Sequence, residues 1–155
     1  MAVVATGAVL GFAAQTFESV AMGDLAELCC VRISRIGHRT DARTALAHLD
    51  IPAYLRMVDV GFNQCKSGRC PGALGGETWA PAVALVREAI SLLNDDLEVL
   101  EACIEGPALR HPLLPWTWMG GRRERSVQTA IARIETDFRI LKSRVDTFLQ
   151  LVRTQ

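Results

Sequence analysis

The stretch from Val83 to Ile104, VALVREAISLLNDDLEVLEACI, decides the fold. Its apolar residues Val83, Val86, Ile90, Leu93, Leu97, Leu100 and Ile104 step by three and four. That spacing keeps every side chain on one face of an α-helix. A second stretch, VQTAIARIETDFRILKSRVDTFLQLV from Val127 to Val152, does the same through Val127, Ile131, Ile134, Phe138, Leu141, Val145, Phe148 and Val152. Each stripe must bury against something, and each is the natural partner of the other. Together they predict an all-α fold, a bundle of four to five helices with a long antiparallel C-terminal hairpin.

Outward from the hairpin, punctuation residues place the other elements. Thr40 or Asp41 reads as an N-cap, followed by the short face Ala42, Ala45, Leu46, Leu49. Asp50 reads as the next cap, because Pro52 suits a first turn. Leu55, Val58 and Phe62 form the buried side of that helix. Residues 65–78, CKSGRCPGALGGET, read as a glycine-rich loop, with Thr78 near the next cap and Pro81 in the first turn. Residues 106–121, GPALRHPLLPWTWMGG, read as a second loop, so the last helix is expected to start between Arg122 and Ser126. Near the front, an apolar helix is expected over residues 1–22, with Gly23-Asp24 as a break. The whole reads as one domain over residues 1–155.

Composition narrows the function classes. The 155 residues are 50% hydrophobic and 22% charged, too apolar for a disordered chain. Seventeen basic and seventeen acidic residues cancel, which argues against nucleic acid as a partner. Five cysteines without a signal-peptide pattern point to reduced thiols and a cytoplasmic setting. Cys65-x4-Cys70 is the best metal candidate, but a structural zinc site needs four ligands and no second pair exists. No phosphate loop or hydrolase motif appears. Asp95 and Asp96 are consecutive, diverge around a helix, and read as a solvated acidic face with Arg87, Glu88, Glu98 and Glu101. The chain is therefore expected to be non-enzymatic, with no metal or cofactor.

Two segments carry the sharper functional reading. AVVATGAVLGFAA at residues 2–14 is apolar or small throughout, yet shorter than the roughly 20 residues of a transmembrane helix. It reads either as a buried first helix or as one that leaves the bundle for a membrane. Trp116 and Trp118, beside Arg122 and Arg123, suit a headgroup interface or else cap the open end of the bundle.

The small-residue N-terminal helix, the segment Val99-Leu100-Glu101-Ala102-Cys103-Ile104, the Leu113-Leu114-Pro115-Trp116 turn backed by arginines, and the Ile131 to Val145 helix form a familiar series. It resembles the HeLo-like N-terminal domains of fungal STAND and death-pathway proteins, best over residues 83–152. The resemblance implies a self-associating, homo-oligomeric signalling domain in regulated cell death. It would be triggered by a NACHT/STAND-type sensor and recruited to the plasma membrane, where its first helix meets lipid. The interface would comprise Val3, Val4, Val9, Leu10, Phe12 and Phe17 in that helix, with Trp116, Trp118, Arg122 and Arg123 as headgroup contacts. The alternative is a helical interaction or dimerisation scaffold with helix one in the core. A helical enzyme or ligand carrier using Cys or His is a third reading.

Overall fold

A computed structural model describes residues 22–37, 40–66, 76–105 and 116–154, without the side chains of 40, 41, 66, 76–79 and 116–123. The described residues are all-α. Residues 22–36 form α1. Then follow α2 (Thr40–Ala47), α3 (Ile51–Lys66), α4 (Gly76–Glu105) and α5 (Trp116–Arg153).

The α4/α5 hairpin is the frame. Val86, Ile90, Leu93, Leu97 and Leu100 are fully buried on α4, and Ile134, Phe138, Leu141, Val145 and Phe148 are buried on α5. Val83, Val127, Ile131 and Val152 pack partly buried at the ends. The Arg144 guanidinium donates to the Leu85 carbonyl at 2.7 Å and to Glu88 at 2.9 Å. Asp137 bonds Asp96 farther along. Rising α4 numbers thus meet falling α5 numbers, which makes the pair antiparallel and sets Leu92 level with Ile140.

Helix α3 lies on α5 in the same direction. Phe62 stacks on Phe148 with ring centroids 4.5 Å apart. Tyr54 meets Phe138 edge-on at 5.3 Å, and Lys142 sits 4.5 Å from the Phe138 ring centroid, a cation over an aromatic face. Helix α1 lies on α4, also in the same direction. Cys29 sits against the Ile90 carbonyl at 3.9 Å, and Arg32 grips the next turns of α4. Its Nε donates to Asn94 at 3.1 Å, Nη1 to Glu101 at 2.6 Å and Nη2 to Glu98 at 3.0 Å. Arg35 adds a 3.6 Å ion pair to Glu101. The result is two layers, α1 and α3 laid over the inner face of the hairpin.

Three boundaries differ from the sequence reading. Residues 22–24 are helical, so Asp24 does not cap a helix that begins after it, while the segment before residue 22 lies outside the described residues. A glycine weakens a helix by about 1 kcal/mol relative to Ala, and buried neighbours offset that; Met22, Ala26 and Cys29 are in the core. Helix α4 starts at Gly76, not near Thr78, which puts Pro81 in the second turn. That close to the end, only the Glu77 carbonyl loses its helical donor. Helix α5 starts at Trp116, two turns early. The prolines at 107, 112 and 115 all precede it, and Gly120-Gly121 weakens the turn without barring it. Glu101 is a further correction. Its side chain is 12% exposed and held by Arg32, not part of a solvated face.

The expectation of membrane targeting in a cell-death relay is also corrected. Among the described residues no helix is long and apolar enough to cross a membrane. The described part of the first helix packs into the core through Met22, Ala26, Cys29 and Ile36. Val3, Val4, Val9, Leu10, Phe12 and Phe17 lie outside the described residues.

The corner between α2 and α3 is tight. Leu49 donates to the Leu46 carbonyl and Tyr54 to the Asp50 carbonyl, both at 3.1 Å. Asp50 itself adopts φ 47°, left-handed. Asp tolerates that region better than most residues, and a β-branched residue does not. Asp50→Val should therefore lower urea-derived stability by roughly 1–2 kcal/mol, while Asp50→Gly should change it little. Equal losses from both would show that the left-handed backbone is not what limits this position.

The Arg32 clamp yields a second expectation. Arg32→Ala leaves Asn94 without its partner and Glu101 with only the 3.6 Å pair to Arg35, at a cost of about 2–4 kcal/mol. Adding Glu101→Leu and Asn94→Leu to an Arg32→Leu chain should recover most of that loss in the same titration. A loss under ~0.5 kcal/mol for Arg32→Ala would show the clamp to be a surface pair.

Candidate interaction surface

The hairpin has a second, outer face that no other described helix covers. On α4, Leu85, Leu92 and Val99 are seven residues apart, two helical turns, so they line up as a row. Their exposures are 47%, 42% and 44%. On α5, Ile140 at 38% lies level with Leu92, and Leu151 at 39% continues the row past Leu85. The other exposed apolar residues form shorter i, i+3 pairs, Leu28 with Val31 on α1 and Met57 with Val60 on α3, each confined to one helix. An aligned row on two adjacent helices makes this face the candidate binding surface.

Charged groups sit along the seam of this face. Arg144 and Glu88 form the ion pair described above. Asp96 and Asp137 face each other across the seam. The Asp137 carboxyl is pushed up to about 6, first by burial, then by its hydrogen bond to Asp96 and by that neighbour's charge. Arg133 and Arg144 pull it back only in part. The two aspartates that read as a divergent, solvated pair thus separate in role: Asp96 turns toward α5, and Asp95 stays exposed.

A groove of about 410 Å³ separates α1 from α3, edged by Asp24 and Glu27 on α1 and by Arg56 and Asp59 on α3. Cys30 lines it as well. Burial raises that thiol above its ordinary value, and Glu27 adds to the effect while Arg56 opposes it. Its neighbour Cys29 is pushed up to about 12, by burial first and by Cys30 second. Both stay protonated at neutral pH, so neither is an activated nucleophile.

The residues singled out from sequence fall elsewhere. Trp116, Trp118, Arg122 and Arg123 belong to the opening turns of α5, their side chains outside the described ones. Cys65 is buried in the last turn of α3, and Cys70 lies outside the described residues. No group of three or more His, Cys, Asp or Glu residues able to hold a metal occurs among the described residues. His48 lies 3.5 Å from Glu135, tying the α2 corner to α5. Sequence reasoning missed the outer row. The signal was present, since Leu85, Leu92 and Val99 form a second strict heptad beside the core stripe. It widens the apolar arc of α4 beyond what one buried face requires.

The raised Asp137 carboxyl has a pH signature. Between the ordinary carboxylate value of 3.8 and about 6, the folded chain holds a proton that the unfolded chain has released. Asp137 therefore costs stability as pH rises through that window. Asp137→Asn should raise stability near pH 7.5 by about 1 kcal/mol, after screening by solvent. Near pH 4 the same substitution should gain nothing. A gain of equal size at both pH values would rule out the Asp137 ionisation as its source.

No family model, curated protein or solved structure matches this chain, so the geometry of this face carries the functional argument by itself.

Proposed function

We propose that the chain is a helical protein–protein interaction module, with helix one held in the core and the outer face of the α4/α5 hairpin as its binding surface. The observation that supports this reading is the heptad row Leu85, Leu92, Val99, left exposed on a helix whose other apolar stripe is fully used. An apolar ridge flanked by charged pairs has the anatomy of an interface, apolar at the centre and polar at the rim. The core does not need this row, since the inner stripes already bury α4 against α5.

A photo-crosslinking side chain placed at Leu92 or Leu85 in the cell tests the reading. Protein adducts are expected from both positions, and none from Arg43, an exposed site on α2. No adduct from either leucine, in chains that remain helical by circular dichroism, would set the proposal aside.

A further inference from the structure

We propose that the outer face receives an amphipathic helix of another protein, one that sets a lysine or arginine over the Asp96 and Asp137 carboxylates and apolar residues over Leu92, Val99 and Ile140. This rests on the interaction reading above and names the chemistry of the partner.

Charge selects this occupant. From Glu88 to Glu105, α4 carries six carboxylates and no basic residue. Arg144 pairs with Glu88, and Arg32 with Glu98 and Glu101. Among the described residues no ion pair reaches Asp95, Asp96 or Asp137. The groups that face Asp137 are Asp96 from α4 and, from its own helix, Arg133 and Arg144. The two arginines offset burial and the neighbouring carboxylate only in part. A cation brought from outside supplies the charge that this end of the face lacks.

Placement ties that charge to the apolar row. Asp96 follows Leu92 by four residues and precedes Val99 by three, spacings that put all three on one side of α4. Asp137 precedes Ile140 by three on α5. The carboxylates therefore sit within the exposed row, with apolar side chains around them. From Leu85 to Val99 the row is roughly 21 Å long, about four turns of a docked helix. A helix laid on such a face anchors through residues three and four apart. A basic residue flanked at those steps by apolar ones matches the order of groups on this face. The charge contact then fixes register, and the apolar contacts exclude water from it.

Other occupants meet the same carboxylates on worse terms. Anionic headgroups and nucleic-acid phosphates are repelled by them. A second copy turned about Leu92 sets Glu88 against Asp96, acid on acid.

Fluorescence anisotropy with the purified full chain is the test. The probe is a labelled helical peptide of leucine and lysine, about 15 residues long, and the control carries glutamate in place of lysine. Near pH 7.5 the lysine peptide is expected to bind and the glutamate peptide is not. Asp96→Asn together with Asp137→Asn keeps the shape of the site, removes its charge and should weaken binding at least ~10-fold. Leu92→Ser should weaken it as well, with the fold of each variant checked by circular dichroism. Acid gives an independent readout. As pH falls through about 6, Asp137 takes up a proton that the lysine must displace, so affinity drops. The double Asn chain should show no such drop. The proposal is overturned if the lysine peptide does not bind, if the glutamate peptide binds equally, or if the Asn pair leaves binding unchanged. Photo-adducts at Leu92 that fall on a second copy, or on a segment without basic residues, also overturn it and leave the interaction module standing. No adducts at all removes both readings.

Discussion

The seam between α4 and α5 is the constraint on which the rest of the structure depends. Two heptad stripes from distant parts of the chain fill each other's grooves, and Arg144 and Asp137 meet α4 groups along the edge. Once that register is set, the positions available to the other helices are few. Helix α3 seats Phe62 on Phe148, and α1 seats Arg32 across Asn94, Glu98 and Glu101. Both join the same side. A guanidinium is suited to the second task because its fork supplies donors in fixed directions, which a lysine cannot do. The clamp sets how far along α4 the first helix lies, and apolar contacts alone leave such a slide cheap.

One-sided covering gives the hairpin two unlike faces. The inner face is dry and closed by aromatic and aliphatic contacts. The outer face keeps leucine, valine and isoleucine half exposed beside the Asp96–Asp137 contact and an ion pair. Within α4 the apolar residues are interleaved with Asn94, Asp95, Asp96, Glu98 and Glu101. That pattern suits a helix meeting protein on two sides better than one meeting lipid on all sides. Polar groups at the seam matter for selectivity, since a face of pure leucine accepts many partners in many registers.

Much of the fold was legible in the sequence, and the reasons are local. The core stripes of α4 and α5 follow from period alone, and Asp50 with Pro52 marks the α2/α3 corner through chemistry that acts within four residues. What escaped was set by tertiary neighbours. Asp24 reads as a cap until Met22, Ala26 and Cys29 are seen to be buried around it. The early start of α5 sits among glycines and prolines whose order, not number, decides the matter. Arg32 carries no local signal, because its three acceptors lie more than sixty residues away. Asp96 looks solvated until α5 brings Asp137 beside it. The surface row was readable as a heptad, and was passed over because a heptad is commonly assigned to the core.

The parallel seating of α1 on α4 has a consequence for synthesis. Cys29 meets Ile90, 61 residues later in the chain. At about 5–20 residues per second, a ribosome takes on the order of 3–12 seconds to make the partner after the first helix. Throughout that interval the apolar side of Met22, Ala26, Cys29 and Ile36 lacks its α4 partner and has only Leu55, Val58 and Phe62 of α3 to lie beside. The nascent chain thus carries a half-covered helix until the hairpin emerges, and every codon that slows the ribosome before Ile90 lengthens that exposure.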